Sequence, residues 1–290
     1  MNRIARYASL VKFAHTVFAL PFALLGYTYA LLSTGTPFEG RVLVKILFCM
    51  VLARNSAMGF NRWADRKIDA LNARTAGREI PAGIISPRAA LWFVAVNAVL
   101  FLAVAATINR LTLLLAPVAL AVLLGYSYTK RFTSLAHLVL GLSLAIAPSG
   151  AYIAVTGTLA WAPAVLSLLV MTWCGGFDII YALQDREFDR SHGLHSVPAR
   201  FSPAGALTVS CVLHALSVAA TVLFGALYPS GGLYMAGALL FSGIVIAEHL
   251  LVTPTRTANI GIAFGTLNGI ASLVFAAFAV ADLLTVYGIF

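Results

Sequence analysis

The sequence predicts an all-α, polytopic membrane protein of nine transmembrane helices, on three observations. Hydrophobic residues make up 61% of the 290 and charged residues only 10%, against roughly 25% charged in a soluble domain. The charge-free stretches reach the length of about 20 residues that a bilayer crossing needs. The few acids gather in two short segments instead of spreading over a surface. The chain therefore reads as one integral membrane domain over 1–290, with the lipid bilayer as its solvent and no room for a separate soluble domain. Soluble enzymes, secreted disulfide scaffolds and nucleic-acid modules are excluded, and no nucleic acid is expected as a partner. Cys49, Cys174 and Cys211 lie in apolar stretches without metal-ligand spacing and read as small buried hydrophobes.

The spans follow in order. Ala14 to Gly35 is the first. Val42 to Phe60 is the second, interrupted by Lys45 and Arg54, which are read as lying near its ends, where long basic side chains reach the interface. Ala89 to Asn109 and Leu111 to Thr129 are the third and fourth. Phe132 to Phe177 and Phe201 to Ala247 are too long for one crossing and must each fold back. The first has a break at Thr156, Gly157 and Trp161 to Pro163, the second at Tyr228 to Gly232. Thr257 to Ala281 is the ninth span.

Nine spans put the termini on opposite sides. Arg3, Arg6, Lys12, Arg62, Arg66, Lys67, Arg74, Arg78, Arg88, Lys130, Arg131, Arg186, Arg190, Arg200 and Arg256 all fall on the N-terminal side, and only Arg41, Lys45 and Arg110 lie toward the other. The positive-inside rule makes the N-terminal side cytoplasmic and leaves the C-terminus outside. The first apolar run is of full span length without a small-residue cleavage pattern, so it is expected to be retained.

Of ten acids, six fall in Asn61 to Glu79 and Asp185 to Asp189, both on the expected cytoplasmic side. The first segment reads N-R-W-A-D-R-K-I-D, placing Asn61, Asp65 and Asp69 at i, i+4 and i+8 on a helix continuing from span 2. The second reads Y-A-L-Q-D-R-E-F-D, with Tyr181, Asp185 and Asp189 at the same spacing on the extension of span 6. Every position is offset by 120 residues, which hints at an internal duplication, helices 1 to 4 echoed by 5 to 8, plus helix 9. Carboxylates stacked at i, i+4 repel one another, and a divalent cation between them relieves the repulsion. Two such pairs suit Mg2+ with open positions for a phosphate-bearing substrate, a diphosphate site. The plain alternative for each segment is a salt-bridged juxtamembrane helix, which two matched triplets on one side argue against.

G-Y-S-Y-T-K-R ends span 4 on the same side, and Tyr126 and Lys130 would donate to a diphosphate. Arg131 is placed to make a two-pronged pair with a carboxylate. N-A-R-T-A-G-R-E-I-P-A-G reads as a structured loop with turns at Gly77 and Gly83, and no G-x-x-x-x-G-K-[ST] phosphate loop occurs. Asp178, two turns deeper on the Asp185 face, is assigned a substrate-side role. Glu248, beside His249, is read as an interhelical contact. His15 and His137 are expected to hydrogen-bond at span ends.

These segments resemble the intramembrane UbiA-type aromatic prenyltransferases over essentially the whole chain. The resemblance rests on N-x-x-x-D-x-x-x-D and D-x-x-x-D, followed by R-T-x-x-R-x-I-P-A-G and H-S-V-P-A-R-F respectively. G-F-N-R-W-A-D-R-K-I-D-A, G-Y-S-Y-T-K-R-F-T and D-I-I-Y-A-L-Q-D-R-E-F-D are most similar to the 4-hydroxybenzoate polyprenyltransferase group. Arg62 departs from the pattern, standing where many members carry a further acid. The resemblance implies helices around a central cavity roofed by cytoplasmic cap segments, in a bacterial cytoplasmic (inner) membrane, with the active site on the cytoplasmic side. It implies Mg2+-dependent transfer of a polyprenyl group from a polyprenyl diphosphate to the ring carbon ortho to the hydroxyl of 4-hydroxybenzoate, as in ubiquinone biosynthesis. It also assigns residues: Asp65, Asp69, Asp185 and Asp189 to Mg2+ and catalysis; Asn61, Tyr126, Ser127, Lys130 and Lys12 to the diphosphate; Arg131 and Asp178 to the aromatic acid acceptor. Phe177 and Tyr181 are placed to stabilise an allylic cation. A dihydroxynaphthoate acceptor, as in menaquinone biosynthesis, is compatible with the same chemistry. A secondary transporter is the alternative of another class, but transporters place their charged residues near the midplane on broken helices, not at helix ends.

Overall fold

A computed structural model describes residues 3–11 and 18–289, with the side chains of residues 3–5 left aside. Lys12 and His15 lie outside the described residues. The helices, in chain order, are α1 (Arg3–Leu10), α2 (Leu20–Thr34), α3 (Gly40–Ala64), α4 (Arg66–Leu71), α5 (Pro87–Ala106), α6 (Arg110–Thr129) and α7 (Ala136–Thr156). They continue with α8 (Trp161–Ala182), a 3-10 turn (Leu183–Asp185), α9 (Arg186–Ser191), α10 (Val197–Arg200), α11 (Pro203–Ala226), α12 (Gly232–Leu251), a π-helix (Ile262–Leu267) and α13 (Asn268–Val286). Among the described residues eight helical segments are long and apolar enough to cross a membrane, and α2 is a shorter apolar helix. The fold class and span order are thus as expected. Both foldback breaks fall where expected: Gly157, at φ 67°, caps α7, and residues 227–231 separate α11 from α12.

The chain divides into two compact units, residues 1–16 with 40–128, and 17–39 with 129–290. In the first, α3 packs along α5, and Asn55 Nδ2 donates to Asn97 Oδ1 across them at 3.0 Å. Such a pair satisfies polar groups that lipid cannot. Near the opposite end of α3, Lys45 Nζ donates to the carbonyl of Thr107, the residue capping α5, at 2.7 Å, a cation on a helix C-terminus. Since α3 runs on to Ala64, Arg54 sits almost three turns inside the helix and half-buried.

In the second unit α8 is the most enclosed helix, flanked by α7 and α11. Small residues allow the approach: a Cβ on Gly141 would lie 2.2 Å from the Met171 carbonyl oxygen, and one on Gly26 would lie 2.3 Å from that of Pro148. At the far end of α12, Asp282 accepts from the backbone N–H groups of Gly231 and Tyr234, both at 3.0 Å, so a buried carboxylate closes a helix N-terminus. The cysteines are free, but of the three expected to be buried only Cys174 is; Cys49 is partly exposed and Cys211 exposed.

Candidate functional site: two matched acidic motifs

Neither motif lies on one continuous helix, which corrects the expectation. Asp65 interrupts the first between α3 and α4 at φ −89°, ψ 2°. Asp185 interrupts the second between α8 and α9 at φ −101°, ψ 3°. Both values fall in the sparsely populated bridge region, where many active-site residues sit. Each is followed by a six-residue helix that opens on arginine, Arg66 or Arg186. At the first motif the i to i−4 bonds nevertheless persist, Asp65 N to Asn61 O at 2.9 Å and Asp69 N to Asp65 O at 2.8 Å. The three side chains therefore keep their register through the interruption.

In the first unit Asp65 and Asp69 are buried, 2% and 4% exposed. Asn61 Nδ2 donates to Asp65 Oδ2 at 3.2 Å. Arg78 Nη1 donates to Asp69 Oδ1 at 2.7 Å, while Asp69 Oδ2 is buried and meets no donor. The loop between α4 and α5 supplies Arg78 and is itself tied down, Thr75 Oγ1 donating to the Asp69 carbonyl at 3.0 Å. Arg62, one of the basic residues counted on the N-terminal side, is buried, with Arg78, Asp69, Tyr126 and Glu79 as its electrostatic neighbours. On the last turn of α6, the Ser127 hydroxyl is buried without a hydrogen-bond partner, and Tyr126 lies within electrostatic reach of Arg54 and Arg62.

In the second unit Asp189 is buried and accepts from Ser196, with Lys130, Asp185 and His137 as charged or polar neighbours. The connection after α9 folds back on this cluster: Leu194 N donates to Asp189 O at 2.8 Å and His195 N to Lys130 O at 2.6 Å. Asp178 Oδ2 lies 2.7 Å from His137 Nδ1. Because Val197 N donates to His137 Nε2 at 3.2 Å, that nitrogen carries the lone pair, and Nδ1–H donates to Asp178. His137 thus hydrogen-bonds as expected, and one oxygen of Asp178 has a structural partner. Arg131 is exposed. Phe264, on the π-helix, packs on Tyr181 at 4.2 Å between ring centroids and on Phe177 at 5.5 Å, extending the aromatic wall beside the motif. Glu248, expected as an interhelical contact, is fully buried near Asn268 on the neighbouring helix, but neither of its carboxylate oxygens has a hydrogen-bond partner among the described residues.

The donor set suits Mg2+. Hard oxygen ligands are present, and the orphaned Asp69 Oδ2 is an acceptor that a cation would satisfy. Among the described residues no three His, Cys, Asp or Glu side chains converge as a closed metal cage. That also fits, since Mg2+ commonly takes one or two carboxylates and completes its shell with substrate phosphates and water. Sequence reasoning missed Arg54 and Arg62. The spacing held a signal for the first, because Arg54 precedes Asn61 by seven residues, two turns along one helical face.

Comparison with known proteins gives the family. The family model described as the UbiA prenyltransferase family matches residues 19–278. A protein named 4-hydroxybenzoate octaprenyltransferase from Saccharophagus degradans is 34% identical over 191 residues, 66% of this chain and 63% of its own. One of the same name from Pseudomonas fluorescens is 34% identical over 199 residues, 68% and 66% of the two chains. The matches span about three-fifths to two-thirds of the length of these relatives. A UbiA homologue from Aeropyrum pernix, in its apo form, superposes with a TM-score of 0.83 at 34% identity, over 93% of this chain and 98% of that one. A UbiA homologue from Archaeoglobus fulgidus bound to DMAPP and Mg2+ shares the fold, with a TM-score of 0.73 at 22% identity over 96% and 99%. With nine-tenths of its length matched by the family model, this chain belongs to the UbiA prenyltransferase family.

Proposed function

We propose that this protein is an Mg2+-dependent prenyltransferase that moves a polyprenyl group from an allylic polyprenyl diphosphate to the carbon ortho to the hydroxyl of 4-hydroxybenzoate. The observation that carries the reading is the pair of acidic motifs with one shared backbone device, a carboxylate in the bridge region ahead of a short helix. Family membership, the relatives' names and the ligands of the Archaeoglobus homologue support it. Asp65, Asp69, Asp185 and Asp189 would hold Mg2+, which neutralises charge developing on the departing diphosphate. Asn61 orients Asp65. Tyr126, Ser127 and Lys130 donate to the diphosphate, with Lys12 assigned the same task from the sequence alone, and the buried Ser127 hydroxyl is available for it.

Breaking the allylic C–O bond leaves an allylic cation, which the ring faces of Phe177 and Tyr181 stabilise. The electron-rich ortho carbon attacks, a C–C bond forms, and loss of the ring proton restores aromaticity. Arg131 and Asp178 are assigned to the acceptor, Arg131 to its carboxylate. Arg54 is a second candidate for that carboxylate, being an intramembrane arginine in line with Asn61. The site is read as facing the cytoplasm in a bacterial cytoplasmic membrane, from the distribution of basic residues.

The test is prenyl transfer in membranes of an expressing host without its own activity, with a short allylic diphosphate and 4-hydroxybenzoate. Product that disappears with chelator and returns with Mg2+ is expected. Product from dihydroxynaphthoate alone would keep the chemistry and move the acceptor to menaquinone synthesis. Movement of substrate into vesicles without covalent change would favour the transporter instead.

A further inference from the structure

The second unit carries a cleft of about 600 Å³ that none of the assigned site residues lines. One wall is the connection from α6 to α7, with Phe132, Thr133 and Ser134; the other is the α9 to α10 segment, with Arg190, His195 and Arg200. The walls are fixed to one another by the His195 N to Lys130 O bond, and Ser196 caps α10 by accepting from Ala199 N. The cleft is therefore built into the fold and does not depend on side-chain placement alone.

Its charge is one-sided. Arg190, Arg200 and His195 are all exposed, and among the described residues neither arginine meets a carboxylate. The acids nearby are committed elsewhere, Glu187 to Arg186 and Asp189 to Ser196. Two arginine forks with hydroxyls opposite suit the oxygens of a phosphate group. The rim is apolar: Phe132 is 68% exposed, and Leu135 and Phe201 beside it are exposed too. Together with the ends of membrane-length helices on both walls, this places the cleft where headgroups meet acyl chains.

We propose that this cleft binds a phosphate group, and that its occupant in the membrane is the headgroup of an anionic phospholipid. Basic pockets at the ends of membrane helices hold such headgroups through the same arginine chemistry. The cleft adjoins the second acidic motif through Ser196 and Leu194, but its arginines are not among the residues assigned to the reaction, and its occupancy does not depend on turnover.

Native mass spectrometry of the full chain in detergent, titrated with phosphatidylglycerol or phosphatidylcholine, tests it. The wild type is expected to take up phosphatidylglycerol about tenfold more readily. The Arg190→Gln/Arg200→Gln double variant should fall to the phosphatidylcholine level, with each single variant intermediate and thermal melting unchanged. Inorganic diphosphate added without lipid separates the sources. Arginine-dependent diphosphate binding without a preference for phosphatidylglycerol would overturn the lipid assignment, and equal phosphatidylglycerol uptake by wild type and double variant would overturn the site.

Discussion

The two acidic motifs share a backbone and differ in how their charge is balanced. In the first, Asp69 is tied to Arg78, and a second guanidinium, Arg62, is buried within its electrostatic reach. In the second, Asp189 leans on the Ser196 hydroxyl, with Lys130 and His137 as its stabilising neighbours. The same local device thus stands in two electrostatic settings, one half-neutralised by the protein and one depending more on whatever cation arrives. A buried carboxylate needs partners, so the difference predicts that the two motifs respond unequally to loss of metal.

The largest effect is expected from removing either central acid. Asp65→Asn or Asp185→Asn should lower prenyl transfer by about two to three orders of magnitude, with membrane insertion and expression unchanged. Near wild-type activity in either variant would break the equivalence of the motifs. Chelation of divalent ions should abolish product in the wild type, and Mg2+ should restore it. Arg78→Gln leaves Asp69 buried without its partner and should cost about 2 kcal/mol of stability, read as a lowered Tm in detergent that Mg2+ partly restores. Ser196→Ala removes the hydroxyl that faces Asp189 and caps α10, and should cost about 1–2 kcal/mol. A Ser196→Ala loss greater than that of Arg78→Gln would erase the proposed asymmetry.

Helices and their breaks were legible in the sequence because lipid imposes a strong constraint: every backbone polar group must be satisfied internally, so a charge-free run of span length can only be a helix. Gly157 and the stretch from Tyr228 to Gly232 then mark the turns, and the structure ends α7 and α11 there. The interruptions at Asp65 and Asp185 left no comparable mark. Neither is flanked by proline or glycine, and i, i+4 spacing looks the same whether or not the middle residue leaves the helical region. The His137–Asp178 and Arg78–Asp69 pairs join residues 41 and 9 positions apart, and a single sequence does not encode which loop folds back on which motif. The π-helix at Ile262–Leu267 is invisible in an apolar stretch, because its consequence, Phe264 against Tyr181, is a matter of one residue of register.

The central claim is that both motifs serve one Mg2+-dependent diphosphate. Calorimetric titration of a short allylic diphosphate into the purified wild type, Asp65→Asn and Asp185→Asn proteins, each with Mg2+ and with chelator, tests it most directly. The expected result is Mg2+-dependent binding in the wild type and a loss of at least about tenfold in affinity in both variants. Binding at wild-type affinity in either variant, or wild-type binding indifferent to chelator, would contradict it.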